Sequence, residues 1–328
     1  MQKVKFLIIR FSSIGDIVLT TPVVRCLKQQ VENAEIHYLT KPQFEPILEN
    51  NPYIDKIHTL KKSLQKTIHN LKYEHFDYVI DLHRNLRTAR VKNRLRIMSF
   101  SFEKLNWQKW LLVNLKKDKM PKVHIVDRYL DTVKAFDIKN DNKGLDYFIP
   151  QNTEVNVERI SETLTQGYVG VVVGAFHNTK KLTNEKLISI IDKLNKPVLL
   201  LGGPDDKENA EKIKKETKNK IYSACGKYNI NQSASLVKQA RVILTPDTGL
   251  MHIASAFKKK VISVWGNTVP ELGMYPYMPH PDSEIIETKG LKCRPCSKIG
   301  FIECPKKHFD CINKLDEDYI ASRIEELF

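Results

Sequence analysis

Asp16 closes the segment Arg10-Phe11-Ser12-Ser13-Ile14-Gly15-Asp16, which follows an apolar run and opens a helical pattern. The small residues and the glycine before it let a backbone approach a ligand closely. The carboxylate has two readings. It is a first-turn acid favoured by the helix dipole, or it is a general base or ligand contact. A second segment, Thr245-Pro246-Asp247-Thr248-Gly249-Leu250-Met251-His252, stands at another strand-to-helix junction. Its Thr248 hydroxyl, the turn at Gly249 and the free N–H groups of the following helix suit phosphate oxygens. A carboxylate beside a phosphate would repel it, so Asp247 is expected to cap the turn or bind a hydroxyl. His252, one helical turn further in, is either a packed structural residue or a functional one.

Two further loops follow apolar runs. In Gly174-Ala175-Phe176-His177-Asn178-Thr179-Lys180-Lys181, a Thr179 hydroxyl and a Lys180 or Lys181 cation suit a diphosphate. In Gly202-Gly203-Pro204-Asp205-Asp206, the acids either bond ribose hydroxyls or cap the next helix. The chain has no Gly-x-Gly-x-x-Gly and no Gly-Lys-Ser/Thr, so neither a conventional NAD fingerprint nor a P-loop is supported. A Ser/His/Asp triad, a His-Glu-x-x-His motif and an Asp-x-Asp at a strand end are also missing. Of six cysteines, Cys26 and Cys225 fall in helical and strand patterns as small core residues. The other four are crowded as Cys293-x2-Cys296-x7-Cys304-x6-Cys311, with His308 among them. Such a cluster either holds a structural zinc or is a reduced, metal-free loop.

Elements of alternating type must position these residues. In the first half, strands are expected over Val4–Ile9, Glu35–Leu39, Ile54–Leu60 and Tyr78–Leu82. Helices are expected over Asp16–Gln30, Phe44–Leu48, Ser63–Lys72 and Asp127–Phe136, and residues 97–125 give no clear pattern. In the second half, strands are expected at 168–173, 197–201, 221–224, 242–244 and 261–265. Helices are expected at 184–194, 206–218, 231–239, 249–257 and 316–328. This alternation gives an α/β protein of βαβ units with parallel sheets. In such sheets, ligands bind where strand C-termini meet helix N-termini. Two such junctions in two halves point to two facing domains, 1–150 and 151–315, with a cleft between them and a closing helix over 316–328.

The net charge of +15 is uneven: residues 1–150 hold 27 Lys and Arg against 16 Asp and Glu, whereas 151–328 hold 26 against 22. The sharpest stretch runs from Arg84 through Arg87, Arg90, Lys92 and Arg94 to Arg96 without an acid. It attracts an anionic partner: nucleic acid, anionic membrane or a phosphorylated glycolipid. Aromatics are not interleaved with these cations as single-strand stacking requires, so no nucleic acid is expected. No apolar run approaches the ~20 residues that span a bilayer, nor does a signal peptide open the chain. A cytoplasmic protein, soluble or peripheral to a membrane, is expected.

Taken together, these segments resemble the bacterial ADP-heptose:lipopolysaccharide heptosyltransferase family, glycosyltransferase family 9. The likeness is carried by Arg10 to Pro22, by Asp81-Leu82-His83-Arg84-Asn85-Leu86-Arg87, by Gly174-Ala175 with Thr179-Lys180-Lys181, and by Pro246 to Ala254 with Val264-Trp265-Gly266-Asn267-Thr268. The resemblance implies a GT-B fold, two Rossmann-like domains with parallel sheets facing across a cleft. It also implies inverting transfer of heptose from ADP-heptose to the lipopolysaccharide inner core, on a lipid A–Kdo type acceptor at the inner membrane, to which the protein would be peripheral. Asp16 matches the catalytic base. Thr179, Lys180, Asp206, Asp247, Thr248, Gly249 and His252 match the donor site, and Asp205 is the alternative to Asp206. Ser12 and Ser13 would line the cleft, and Arg84 and Arg87 would meet the anionic acceptor. Lys180 and helix N–H groups stabilise a leaving diphosphate without a metal, so no cofactor is expected. Cys293, Cys296, Cys304 and Cys311 resemble a cysteine cluster found in part of the family. The competing expectations are a transferase of another nucleotide sugar, a nucleotide-sugar epimerase and a basic nucleic-acid module.

Overall fold

The computed structural model describes residues 3–328. Two compact units divide the chain: residues up to Lys104 with Val123–Phe148, and Leu105–Lys122 with Ile149–Phe328. The first unit contains, in chain order, β1 (Val4–Ile9), α1 (Ile14–Val18), α2 (Thr21–Gln30), β2 (Ala34–Thr40), β3 (Lys56–Thr59), α3 (Leu64–Lys72), β4 (Tyr78–Asp81), α4 (Leu86–Leu95) and β5 (Met98–Ser101). Then come α5 (Asn106–Leu115), which groups with the second unit, and α6 (Ile125–Leu130), which returns to the first.

The five strands of the first unit pair in parallel in the order β3-β2-β1-β4-β5. Successive strands run outward from β1 to one side and then, from β4, to the other. The order therefore reverses between β1 and β4, and that junction is a switch point where ligands bind in open α/β sheets. Phe6, Leu7, Ile8 and Ile9 are all fully buried, as expected of a central parallel strand covered on both faces. Leu7, Ile9, Phe11 and Leu39 pack with Ile68 and Leu71 of α3 and Val91 of α4. Each such side chain contributes about 1.5–3 kcal/mol by leaving water.

Several helical expectations are broken by local chemistry. The expected helix over Asp16–Gln30 is two helices. The Thr20 and Thr21 hydroxyls donate to the Ile17 and Val18 carbonyls, each at 2.7 Å, and Pro22 follows within the first turn of α2. The segment with Pro42 and Pro46 is a 3₁₀ helix, Pro42–Ile47, rather than an α-helix. Asp127–Phe136 divides into α6 and a 3₁₀ turn, Asp131–Phe136. Ser63 caps α3 as expected, accepting from Lys66 N at 3.4 Å.

A buried cation ties the end of the first unit to α2. Arg25, 1% exposed, donates to both oxygens of Asp141 at 2.7 and 2.8 Å, to Gly144 O at 2.8 Å and to Asp146.

The second unit holds β6 (Val169–Val172), α7 (Asn184–Ile191), β7 (Val198–Leu201), α8 (Lys207–Glu216), β8 (Ile221–Ser223), α9 (Ile230–Gln239), β9 (Val242–Pro246), α10 (Gly249–Ala256), β10 (Lys260–Trp265), β11 (Glu284–Glu287), α11 (Asp310–Asn313) and α12 (Glu317–Leu327). Its six parallel strands are ordered β11-β10-β9-β6-β7-β8, with the switch between β6 and β9. Ile320, Ala321, Ile324 and Leu327 bury α12 in the same core as Val169, Leu200 and Leu244. Leu105 and Leu112 of the α5 region pack with Met120, Val269 and Leu272, which is why this segment groups with the second unit. Among the described residues, no helix is long and apolar enough to cross a membrane.

Candidate functional site at the two sheet switch points

The first switch point carries Asp16. Register sets it up: Ile9 lies opposite both Leu39 and Asp81, so Arg10 and Leu82 leave the sheet side by side. The Arg10 guanidinium is nearly buried and fixed on four sides. Nε donates to Ser12 O at 2.7 Å, Nη1 donates to Leu82 O at 2.6 Å and to Tyr129 Oη at 3.0 Å, and Nη2 lies 2.7 Å from Asp16 Oδ1. Asp16 Oδ2 accepts from Ser13 Oγ at 2.7 Å and from Ser13 N at 3.1 Å. Asp16 thus caps the turn and still keeps a side chain about one-fifth exposed (20%), so its structural and chemical readings coexist. Burial works against its charge, but the Arg10 cation and the Ser13 donors outweigh it and hold the carboxyl below its ordinary range. It is an ionised acceptor at neutral pH.

The strand-end turn after β4 is shaped by buried Asp81. Its Oδ1 accepts from Arg84 N at 2.7 Å and His83 N at 3.1 Å, and Oδ2 lies 3.0 Å from Lys92 Nζ. Arg84 sits at φ 49°, exposed, with Nη1 on Phe102 O at 3.1 Å. Asn85 caps α4 through Thr88 N at 2.9 Å, which presents Arg87 on the first turn, exposed. The basic run is thus an amphipathic helix: Val91 is buried, Lys92 is spent on Asp81, and Arg87, Arg90 and Arg94 face solvent.

The second switch point joins residues far apart in sequence. Lys180 Nζ lies 2.6 Å from Asp247 Oδ2, and the Thr268 hydroxyl donates to the same oxygen at 3.1 Å. Asp247 therefore does not cap the turn; it holds the lysine. Thr248 is the N-cap residue of α10, with its hydroxyl 3.3 Å from that of Thr245, and Gly249 begins the helix. The first-turn amides of α10 have no intrahelical acceptor and remain available to an anion. His252 is 2% exposed, so it lies beneath this turn rather than on its surface.

Asp206 takes the capping reading of its two, and Thr179 bonds to a distant loop. Thr179 is buried. Its Oγ1 donates to Phe301 O at 3.1 Å and accepts from Phe301 N at 2.8 Å, so it fastens the Lys180 loop to the cysteine-bearing loop. Asp206 is 8% exposed and turned inward, 3.1 Å from Lys181 Nζ and accepting from Gly203 N at 3.0 Å. Its carboxylate fills the room beside Gly174, where a Cβ would lie 1.9 Å from Oδ2.

The chain matches Glycosyltransferase family 9 (heptosyltransferase) over residues 64–305. It belongs to glycosyltransferase family 9. Lipopolysaccharide heptosyltransferase 1 of Campylobacter coli is 25% identical, with 99% of each chain covered. The family-9 glycosyl transferase of Veillonella parvula superposes with a TM-score of 0.79 at 18% identity, covering 100% of this chain and 98% of that one. The Escherichia coli ADP-heptose lps heptosyltransferase II gives 0.75 at 17% identity, with 98% of both covered. The fold is accordingly GT-B, with two Rossmann-like units.

For this family-9 chain, four residues beyond those singled out from sequence complete the switch points. Arg10, Thr268 and His83 contact or neighbour the charged pairs; they lie in the segments that carry the family resemblance, which gave them no role of their own. His83 packs on Phe11 with ring centroids 5.2 Å apart, and its buried Nδ1 has no partner among the described residues. Burial, then the Arg10 charge, pushes its imidazole down to about 4. Asn267, at the end of β10, is 2% exposed with both side-chain polar atoms unpaired among the described residues. An unpaired buried amide costs about 1–3 kcal/mol, which a ligand or an ordered water would offset.

The four clustered cysteines are not gathered as a ligand set among the described residues. Among the described residues, the group of three His, Cys, Asp or Glu side chains whose ligand atoms all lie within 4.8 Å is His37, His58 and Glu74, and the four cysteines form no such group. Cys293 Sγ is 3.8 Å from His308 Nε2, Cys296 Sγ donates to Cys293 O, and the Cys311 thiol is buried and pushed up to about 12. All six cysteines are free thiols.

Proposed function

We propose that this chain transfers a heptose from ADP-heptose to a hydroxyl of the lipopolysaccharide inner core, inverting the anomeric centre. Support comes from family membership and from the neighbour whose name specifies ADP-heptose. The observation that carries the reading is the pairing of opposite charges at the two switch points: an ionised Asp16 on one, and Lys180 beside a helix N-terminus on the other.

Asp16 takes the proton of the acceptor hydroxyl while that oxygen forms its bond to C1. The bond from C1 to the diphosphate breaks, and ADP leaves with the electron pair. Because Arg10 lowers its basicity, Asp16 accepts the proton only as the hydroxyl grows acidic during bond formation, in concert with attack. Lys180 and the α10 amides at Thr248 and Gly249 stabilise the charge that builds on the diphosphate, which requires no metal. Lys180 leaves Asp247 for the phosphates, and Asp247 then meets a sugar hydroxyl. His252 supports the α10 turn from below, and Thr179 positions the Lys180 loop. Asp206 or exposed Asp205 meets the adenosine ribose. Ser12 and Ser13 flank the base, and Arg84 and Arg87 take the anionic groups of a lipid A–Kdo acceptor.

The acceptor implies contact with the cytoplasmic face of the inner membrane. Exposed Trp107 and Trp110 of α5 stack with centroids 5.2 Å apart, and exposed Lys117 and Lys119 follow. Amphipathic aromatics with lysines suit an anionic interface.

Calorimetric binding of ADP, UDP, GDP and CMP, with and without Mg²⁺, tests the donor reading. Preference for ADP without metal is expected; preference for another nucleotide overturns the donor. Incubation of ADP-heptose with lipid A–Kdo then yields ADP and an anomerically inverted product. Flotation with anionic vesicles checks the membrane reading, which fails if Trp107→Ser with Trp110→Ser leaves recovery unchanged.

A further inference from the structure

We propose that His37, His58 and Glu74 form a binding site for a divalent transition-metal ion such as Zn²⁺, separate from both switch points. His37 is on β2 and His58 on β3. Leu39 is the register partner of His58, so the two histidines share one face of the sheet. His37 Nδ1 and His58 Nε2 are 3.0 Å apart, and His37 Nδ1 is 3.9 Å from Glu74 Oε2. Two ligands of a tetrahedral zinc at about 2.0–2.1 Å stand roughly 3.3 Å apart. The two histidines are within a few tenths of an ångström of that spacing, and Glu74 closes on the ion by moving in about half an ångström or more.

The surrounding contacts orient these three ligands. His37 Nε2 donates to Glu35 Oε1 at 2.8 Å, which fixes the tautomer and leaves the Nδ1 lone pair directed at His58. A carboxylate behind a histidine is the usual outer support of a zinc ligand. Lys56 Nζ holds Glu74 Oε1 at 2.6 Å and leaves Oε2 toward His37. Phe76 covers both rings edge-on, at 5.1 Å from His37 and 6.1 Å from His58. In the absence of metal, the His58 Nε2 proton bridges the two rings. On binding, His58 carries its proton on Nδ1 and both facing nitrogens become ligands. Two imidazoles and one carboxylate suit zinc and its neighbours over magnesium or calcium.

The site lies three residues before Thr40, the switch-side end of β2, and draws its ligands from β2, from edge strand β3 and from the turn after α3. Its effect is a clamp on that edge, not a step in transfer.

Untagged full-length chain, stripped with chelator, is titrated with Zn²⁺ alone by calorimetry, and with Co²⁺ by visible spectroscopy. One equivalent is expected, with no thiolate charge-transfer band and with binding retained in Cys293→Ser/Cys304→Ser. His58→Gln and Glu74→Gln, both at partly exposed positions, each weaken it at least tenfold. Glu35→Gln weakens it about 10-fold or more through the outer contact. Absence of Zn²⁺ binding overturns the site, leaving a neutral hydrogen-bonded histidine pair. Binding that survives both His58→Gln and Glu74→Gln, or is lost in the cysteine variant, also overturns it.

Discussion

The two switch points carry the same device with the roles reversed. At the first, the group assigned the chemistry in the proposed function is an anion, Asp16, and its partner Arg10 is locked by three further acceptors. At the second, the group to which the proposed function gives that role is a cation, Lys180, and its partner Asp247 also accepts from Thr268. A guanidinium presents its donors in a rigid fork, whereas an ammonium on a four-carbon stem rotates freely. The first pair therefore fixes a charge in place, and the second, in the proposed reaction, releases one to the ligand.

Substitutions separate these two behaviours. The largest effect is expected from Asp16→Asn, which lowers transfer by about 10²–10⁴-fold while ADP affinity stays unchanged; equal turnover in a steady-state assay removes Asp16 as base. Arg10→Met leaves Asp16 partly buried and unpaired, costing about 3 kcal/mol in denaturant unfolding. If stability is unaffected, the first pair is not a fixed one. Lys180→Ala weakens ADP binding by about 10–100-fold, the worth of a charge-assisted contact. Asp247→Asn frees the lysine instead, so ADP affinity holds while transfer from the sugar donor falls. Parallel losses of ADP binding in both variants would show that the second pair is as rigid as the first.

The smallest effect is on pH. His83 and His58 are both held neutral in the fold, near 4 against an ordinary 6.5, by burial and then by a neighbouring group, Arg10 for His83 and His37 for His58. Between pH 6.5 and 4, the unfolded chain binds protons that the folded chain refuses. Stability is complete above 6.5 and declines as pH falls through that window. Thermal melts should drop by a few degrees from pH 7 to 5, and His83→Gln should flatten that slope.

The central strands were legible because β1, β4, β6 and β9 are short apolar runs, and the residues just beyond them are the ones placed at the switch points. What sequence spacing left hidden was how charge is balanced. Asp247 was expected to cap or bind a hydroxyl because its partner Lys180 lies in another loop, brought near only by the order β9-β6. Thr179 looked like an open donor, yet its hydroxyl is taken by Phe301, a contact no local pattern encodes. β11 was missed because Glu284–Glu287 is an edge strand with two acids and little burial. The assignment of 105–122 to the second unit rests on Leu105 and Leu112 meeting Val269 and Leu272, a long-range packing choice. His37 and His58 sat inside strand patterns, where register alone shows that they meet.

The room beside Gly174 has a consequence for how such a chain varies over generations. With the Asp206 carboxylate already where a Cβ would stand, even an alanine at 174 forces the Asp206 side chain to shift. Loss of the acid at 206 would free that room, so the tolerance of position 174 is set by the residue at 206.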